Sequence, residues 1–109
     1  MAVIHADIKQ RALAVTRTLA RLGVVRAAYI FGSQAEGRAD SWSDIDVGAF
    51  LEGIEGWDVE QRARAMVSVM EEVGWDVEAH LFPASELEKP ERGSFAEYVV
   101  KHGVCIYGK

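Results

Sequence analysis

Residues 29–51 constrain the fold of this chain more than any other segment, because two apolar runs are separated there by a short polar link. The first run ends at Gly32-Ser33, and the second opens with Asp44-Ile45-Asp46. Val, Ile, Tyr and Phe favour strands in both runs, and Gly-Ser interrupts the first. Successive side chains of a strand point to opposite faces. The second strand therefore presents its two carboxylates on one face and its apolar side chains on the other.

The paired carboxylates have no basic neighbour in their strand. They repel each other unless a hard divalent cation lies between them, and Mg²⁺ takes carboxylate and phosphate oxygens. Gly32-Ser33 offers backbone N–H groups that can be approached without a Cβ, a hydroxyl, and the start of a short helix at 34–37. The segment therefore predicts a site for a nucleoside triphosphate with Mg²⁺. The alternative is a hairpin with an acidic, solvated face, although such a face more often includes Lys or Thr.

The spacing of Gly32-Ser33, ten further residues and Asp44-Ile45-Asp46 resembles the signature of the polymerase-β-like nucleotidyltransferases. At this chain length it is similar to their minimal nucleotidyltransferase branch, the antitoxin-type partners of HEPN-domain proteins in prokaryotic toxin–antitoxin pairs. The resemblance implies transfer of a nucleoside monophosphate, expected to be AMP from ATP, to a hydroxyl such as a tyrosine of a HEPN toxin. It also implies that Gly32 and Ser33 bind phosphates and that Asp44 and Asp46 hold Mg²⁺.

A third carboxylate on a neighbouring strand is used by enzymes of this superfamily, where it completes the metal shell and can act as general base. The alternation over 75–82 predicts a third strand with Asp76, Glu78 and His80 on its polar face. Glu78 lies deeper in that strand and is preferred, with Asp76 as the alternative. Both can instead be solvated strand residues, and His80 either contacts nucleotide or acceptor or is a plain surface histidine.

The loop after Gly-Ser departs from the pattern of close relatives, which often carry arginines there. This chain has Gln34 and Glu36, which leaves Arg38 as the cation of the loop. Arg38 is expected either to contact the phosphates or to be solvated. Glu36 would repel a phosphate, so it either weakens nucleotide binding or is turned outward by the short helix. Trp42 is expected to pack in the core, with stacking on a nucleotide base as the alternative.

The remaining pattern predicts an α+β domain, a mixed sheet of about four strands with helices packed on one face. The resemblance implies that this domain has the nucleotidyltransferase fold. Helices are expected at 4–22 and 58–73 and after the capping box 94–97, and strands at 24–31, 44–51, 75–82 and 104–107, the last at a sheet edge. Asp58 is the expected N-cap of the second long helix. The predicted buried stripe of that helix is Val59, Ala63, Met66, Met70 and Val73.

The length, net charge and composition of the chain limit its domain number, partners and location. With 109 residues the chain is expected to be a single minimal nucleotidyltransferase domain, 1–109. A net charge of −5 argues against nucleic-acid binding but is compatible with a basic protein partner. No apolar run reaches the roughly 20 residues that span a bilayer, and no signal peptide is evident, so no membrane partner and a cytoplasmic location are expected. Cys105 has no second cysteine to pair with.

Two alternatives to the transferase remain open at this point. The chain can be a catalytically weak or inactive antitoxin that neutralises its partner by direct contact. It can also be a small-molecule nucleotidyltransferase of the antibiotic-modifying type, although those usually carry a further substrate domain. A homo-oligomer is also compatible with the sequence.

Overall fold

The computed structural model describes residues 4–40 and 43–108 of the chain. Trp42, for which core packing is expected, lies outside these ranges. The elements follow in the order α1 (Ala6–Ala20), β1 (Val24–Phe31), α2 (Ser33–Glu36), β2 (Ile45–Glu52), α3 (Val59–Val73), β3 (Val77–Pro83), α4 (Ser85–Glu88), α5 (Phe95–His102) and β4 (Val104–Gly108). A single 3₁₀ turn, Ile54–Gly56, precedes α3. The predicted order of long helices and strands is confirmed.

The four strands form one sheet in the order β3-β2-β1-β4. β1 pairs antiparallel with both β2 and β4, whereas β2 and β3 run parallel and are connected through α3. A parallel pair needs such a crossover connection. The predicted mixed sheet and α+β class are confirmed, and β4 lies at an edge as expected.

The two long helices cover one face of the sheet. Their buried residues, including Val15 and Leu19 of α1 and Val69 of α3, pack on the apolar side chains of β2. Those β2 side chains, Ile45, Val47, Ala49 and Leu51, are at most 1% exposed. Burial of this continuous apolar layer is the main stabilising contribution to the domain.

The opposite face is covered only in part. There α5 packs Ala96 and Val99 against Tyr29, Phe31 and Phe50, which alternate along the strands with the residues under the long helices. Ser94 caps α5 by accepting a hydrogen bond from the Glu97 N–H, as the capping motif predicts. This helix occupies one part of the face, and the polar side chains of β2 and β3 lie beside it.

The predicted buried stripe of α3 is wrong at Val59, Ala63 and Met66, which are exposed, whereas Val73 packs against the core as predicted. Ala65 and Val69 are the buried residues of this helix, whereas Val59 is 83% exposed and Met66 is 37% exposed. The start of the helix is correct, because Asp58 is the N-cap and forms a reciprocal capping box with Gln61.

Two tryptophans of the described chain differ in burial. Trp57 packs against the core under the long helices, whereas Trp75 is 70% exposed. Cys105 is an exposed free thiol on β4. In the described part of the chain, no helix has the length and apolar character needed to cross a membrane.

Candidate active site

Three adjacent strands place an aromatic ring and two carboxylates side by side. Asp46 of β2 is in register with Phe31 of β1 on one side and with Glu78 of β3 on the other. Two residues further along, His80 of β3 is in register with Gly48. Residues two apart on a strand share a face, so His80 and Glu78 both lie on the face that the long helices leave open.

Asp46, Glu78 and His80 form a compact group. His80 Nε2 lies 3.3 Å from Asp46 Oδ1 and 3.7 Å from Glu78 Oε1. One ligand atom from each of the three residues lies within 4.8 Å of the others. The Asp46 and His80 side chains are about three-quarters buried, whereas that of Glu78 is half exposed. The structure thus brings together two of the three carboxylates that the sequence proposes for the site.

Gly32 connects the Gly-Ser turn to this group. Its φ of 75° lies in the region that glycine alone adopts readily, and a Cβ built on it would lie 2.8 Å from Asp46 Oδ2. Any larger residue would therefore displace the Asp46 carboxylate or the turn. The two halves of the sequence motif, ten residues apart in the chain, meet at this point.

Ser33 opens α2 directly after Gly32, and Asp44 directly precedes β2. The first N–H groups of a helix have no acceptor within the helix, and α2 begins directly after the glycine that lies against Asp46. Asp44 is exposed and does not belong to the three-residue group. Its role as a second metal ligand stays a prediction.

Asp76 does not share the face of Glu78, and this part of the sequence interpretation is wrong. The residue lies in the turn before β3 begins at Val77, so the alternation of the strand does not extend to it. Its carboxylate accepts a hydrogen bond from Arg11 of α1, with Nη1 and Oδ2 3.0 Å apart. The Arg11 guanidinium holds the pKa of Asp76 below its ordinary value. Asp76 joins α1 to the start of β3.

Glu36 is held by two partners beside the Gly-Ser turn. Arg38 donates to its Oε1 from Nη2 at 2.9 Å, and the Tyr98 hydroxyl of α5 donates to its Oε2. The hydrogen bond from Tyr98, followed by that from Arg38, lowers the pKa of Glu36, and the same bond raises the pKa of Tyr98. Glu36 therefore remains ionised, and it engages the arginine that the sequence assigns to nucleotide binding.

Aromatic side chains line the region next to the carboxylates. The His80 ring contacts Phe31 and Phe95 edge-to-face, with centroids 5.0 and 5.4 Å apart. Phe95 and Tyr98 of α5 are stacked on each other and are 48% and 38% exposed. The sequence interpretation missed both as candidate site residues, although the capping motif at Ser94 was the signal that a helix begins there.

Two cavities lie near these residues. One of about 240 Å³ runs along the free edge of β3 and is lined in part by His80, Phe82 and Phe95. A larger one of about 500 Å³ lies between α1 and the loop after α2, and its lining includes Asp7, Gln34 and Asp40. The carboxylates of the larger cavity make it a poor phosphate site, whereas the smaller one opens beside the group of Asp46, Glu78 and His80.

The sequence profile described as "Polymerase beta, Nucleotidyltransferase" matches residues 14–109. The chain belongs to this nucleotidyltransferase family. The match covers the Gly-Ser turn, β2 and β3, which carry the geometry described above, and it confirms the resemblance drawn from Gly32-Ser33 and Asp44-Ile45-Asp46. A search of curated proteins finds no significant match.

Two solved structures share the fold of this nucleotidyltransferase domain. A protein of Sulfolobus solfataricus, described as a candidate nucleotidyltransferase, superposes with a TM-score of 0.64 at 23% identity, covering 94% of this chain and 81% of the other. A toxin–antitoxin complex with AMP-PNP contains a chain that superposes with a TM-score of 0.59 at 20% identity, covering 93% and 73%. At these identities the likeness concerns the fold.

The donor set of the three-residue group fits a divalent cation. Two carboxylates and one imidazole can each supply a lone pair from a separate strand position. Without a cation, the Asp46 carboxylate has Glu78 opposite it in register, an arrangement that like charges disfavour. These residues can therefore hold the metal that the nucleotidyltransferase family implies.

Proposed function

We propose that this chain, as one minimal domain over 1–109 in the cytoplasm, transfers AMP from ATP to a protein hydroxyl with the help of Mg²⁺. The observation that carries the proposal is the approach of Gly32 to Asp46, where only a glycine leaves room for the carboxylate. Because of this close approach, the start of α2 lies beside the in-register pair of Asp46 and Glu78. A phosphate-binding turn that touches a metal-binding carboxylate is what a nucleotidyl transfer site requires.

Each residue then has a chemical role. Gly32 and Ser33 bind the β- and γ-phosphates through backbone N–H groups and the Ser33 hydroxyl, and Arg38 adds a positive charge when it exchanges Glu36 for phosphate. Asp44, Asp46 and Glu78 would hold the metal. A metal bound there would neutralise charge that develops on the phosphate oxygens during transfer.

Transfer is a substitution at the α-phosphorus. The acceptor oxygen forms a bond to this phosphorus, the bond to the bridging oxygen of the β-phosphate breaks, and pyrophosphate leaves. The proton of the acceptor hydroxyl passes to a nearby base, for which we propose Glu78, whose carboxylate is half exposed. The chain contributes positioning and electrostatic stabilisation, which dominate phosphoryl-group chemistry.

For the acceptor we propose a tyrosine of a HEPN-type toxin. The solved toxin–antitoxin complex with AMP-PNP, which shares this fold, supports an antitoxin role. The exposed ring of Phe95, next to His80 and the β3-edge cavity, offers a surface against which an aromatic acceptor can stack.

The test is transfer of label from α-labelled ATP with Mg²⁺ into proteins of a host lysate, comparing wild type with Asp46→Asn. We expect a labelled band with the wild type and at least a hundredfold less label with the variant, because loss of one metal ligand removes several kcal/mol of charge stabilisation. An unchanged circular dichroism spectrum and melting temperature would show that the variant is folded. Equal labelling by the two proteins would refute the mechanism.

A second candidate function is favoured by the contact between Glu36 and Arg38. Because this carboxylate occupies the loop arginine, the chain can be an antitoxin that neutralises its partner by contact alone. Asp46→Asn would then protect cells from the co-expressed toxin as well as wild type does. Neither protein would transfer label from α-labelled ATP to the toxin.

A further inference from the structure

His80 is the member of the three-residue group that the polymerase β motif does not account for. Its Nε2 atom faces both Asp46 Oδ1 and Glu78 Oε1. Neighbouring ligands of an octahedral ion lie about 3 Å apart when each is about 2.1 Å from the metal. The observed separations of 3.3 and 3.7 Å from the imidazole nitrogen are close to that value, and the two carboxylate oxygens lie within 4.8 Å of each other, so side-chain movements can bring all three atoms onto one ion.

The surroundings hold the imidazole in this position. Its side chain is 22% exposed, and edge-to-face contacts with Phe31 and Phe95 fix the plane of the ring. On β2 the residue in register is Gly48, which has no side chain beside the ring. His80 is therefore a positioned side chain and not a solvated surface histidine.

We propose that His80 is a direct metal ligand, and that the site consequently prefers a divalent transition metal such as Mn²⁺ to Mg²⁺. The inference rests on the metal site of the proposed function and deepens it by naming the class of ion. Mg²⁺ prefers oxygen ligands and sheds its water reluctantly, whereas imidazole nitrogen suits first-row transition metals. One nitrogen among carboxylate ligands thus shifts the preference of the site from Mg²⁺ toward a first-row transition metal.

Magnetic resonance of bound Mn²⁺ tests the ligand directly. The full chain is prepared with histidine enriched in the heavy nitrogen isotope, and Mn²⁺ is added with a non-hydrolysable ATP analogue. We expect hyperfine coupling between the manganese and a histidine nitrogen in wild type and in the control His102→Asn, which alters an exposed histidine of α5. The coupling disappears in His80→Asn and in His80→Phe, the second of which preserves the ring packing.

Calorimetric titration with Mn²⁺ alone and with Mg²⁺ alone measures the selectivity of the site for Mn²⁺ over Mg²⁺. Loss of the ligand in His80→Asn should weaken Mn²⁺ binding by about tenfold or more and weaken Mg²⁺ binding much less. Mn²⁺ that binds in an Asp46-dependent way without histidine coupling would overturn the His80 assignment and leave the carboxylate site intact. If wild type and Asp46→Asn bind Mn²⁺ equally, both the His80 assignment and the proposed metal site fail.

Discussion

At the scale of single residues, the charge next to the Gly-Ser turn is set by Glu36. Its carboxylate accepts hydrogen bonds from Arg38 and from the Tyr98 hydroxyl, so the loop carries no net positive charge from this pair. A triphosphate that approaches Ser33 meets an arginine already engaged by an anion. Nucleotide affinity should therefore depend on whether Arg38 is released.

Glu36→Gln should increase the affinity for ATP by about twofold to fivefold, because one exposed negative charge next to the turn is removed. The glutamine can still accept the Tyr98 hydroxyl, but it no longer neutralises Arg38. Calorimetric titration with the non-hydrolysable analogue at low ionic strength measures the effect, and added salt should reduce it. Glu60→Gln, which removes an exposed carboxylate of α3 paired with Arg64, is the matched control. Unchanged affinity in Glu36→Gln would mean that Arg38 does not reach the nucleotide.

The residues of the site differ in how far the sequence alone predicts their positions. Asp46 and Glu78 were placed correctly on one face because both lie within regular strands, where alternation holds. Asp76 was misplaced because it precedes β3, and its orientation is determined by Arg11, 65 positions away in the chain. Tyr98 was missed for a related reason, since its contact with Glu36 spans 62 positions.

At the scale of elements, the position of α5 over the sheet depends on Gly48. A Cβ at this residue would lie 2.9 Å from Val99 Cγ1 and 3.3 Å from Phe82 Cε2. The helix therefore sits closer to β2 than any side chain at position 48 would allow. Because α5 carries Phe95 and Tyr98, this close approach also fixes the aromatic residues next to Asp46.

Gly48→Ala should lower the free energy of unfolding by about 1–3 kcal/mol, the usual cost of inserting a methyl group into a packed interior. Urea denaturation followed by circular dichroism measures it. Gly56→Ala is the matched control, because a Cβ there meets nothing within 4 Å, and its stability should stay within about 0.5 kcal/mol of wild type. Equal stability of Gly48→Ala and wild type would show that α5 can shift without cost.

Sequence periodicity does not determine which face of α3 is buried. Apolar residues surround much of this helix, so a stripe through Met66 and Met70 and a stripe through Ala65 and Val69 both fit a helical repeat. The tertiary structure decides between them: Ala65 and Val69 are buried in the core cluster, and α3 packs against β3 and α1. The ends of the helix were predictable because Asp58 and Gly74 act locally.

At the scale of the whole molecule, two ion pairs fasten α1 to the rest of the domain. Arg11 pairs with Asp76 in front of β3, and Arg21 pairs with Glu72 of α3. In both pairs the hydrogen bond from the arginine is the largest cause that lowers the pKa of the carboxyl. A carboxyl whose pKa is lower in the folded than in the unfolded state stabilises the fold above its unfolded value and loses that contribution as pH falls.

Asp76→Asn should therefore be less stable than wild type at neutral pH, and the difference should close in acid. Since the paired side chains are 33% and 49% exposed, solvent screening limits the expected loss to about 0.5 kcal/mol. The loss should be fully present above about pH 5 and should shrink as pH falls below about 4, the ordinary value of an aspartate. Urea denaturation from neutral to acidic pH measures it, with the exposed Glu88→Gln of α4 as control. A stability difference that persists at acidic pH would assign the effect to the shape of the side chain and not to its charge. Weaker Mn²⁺ binding in Asp76→Asn than in wild type would return this residue to the metal site.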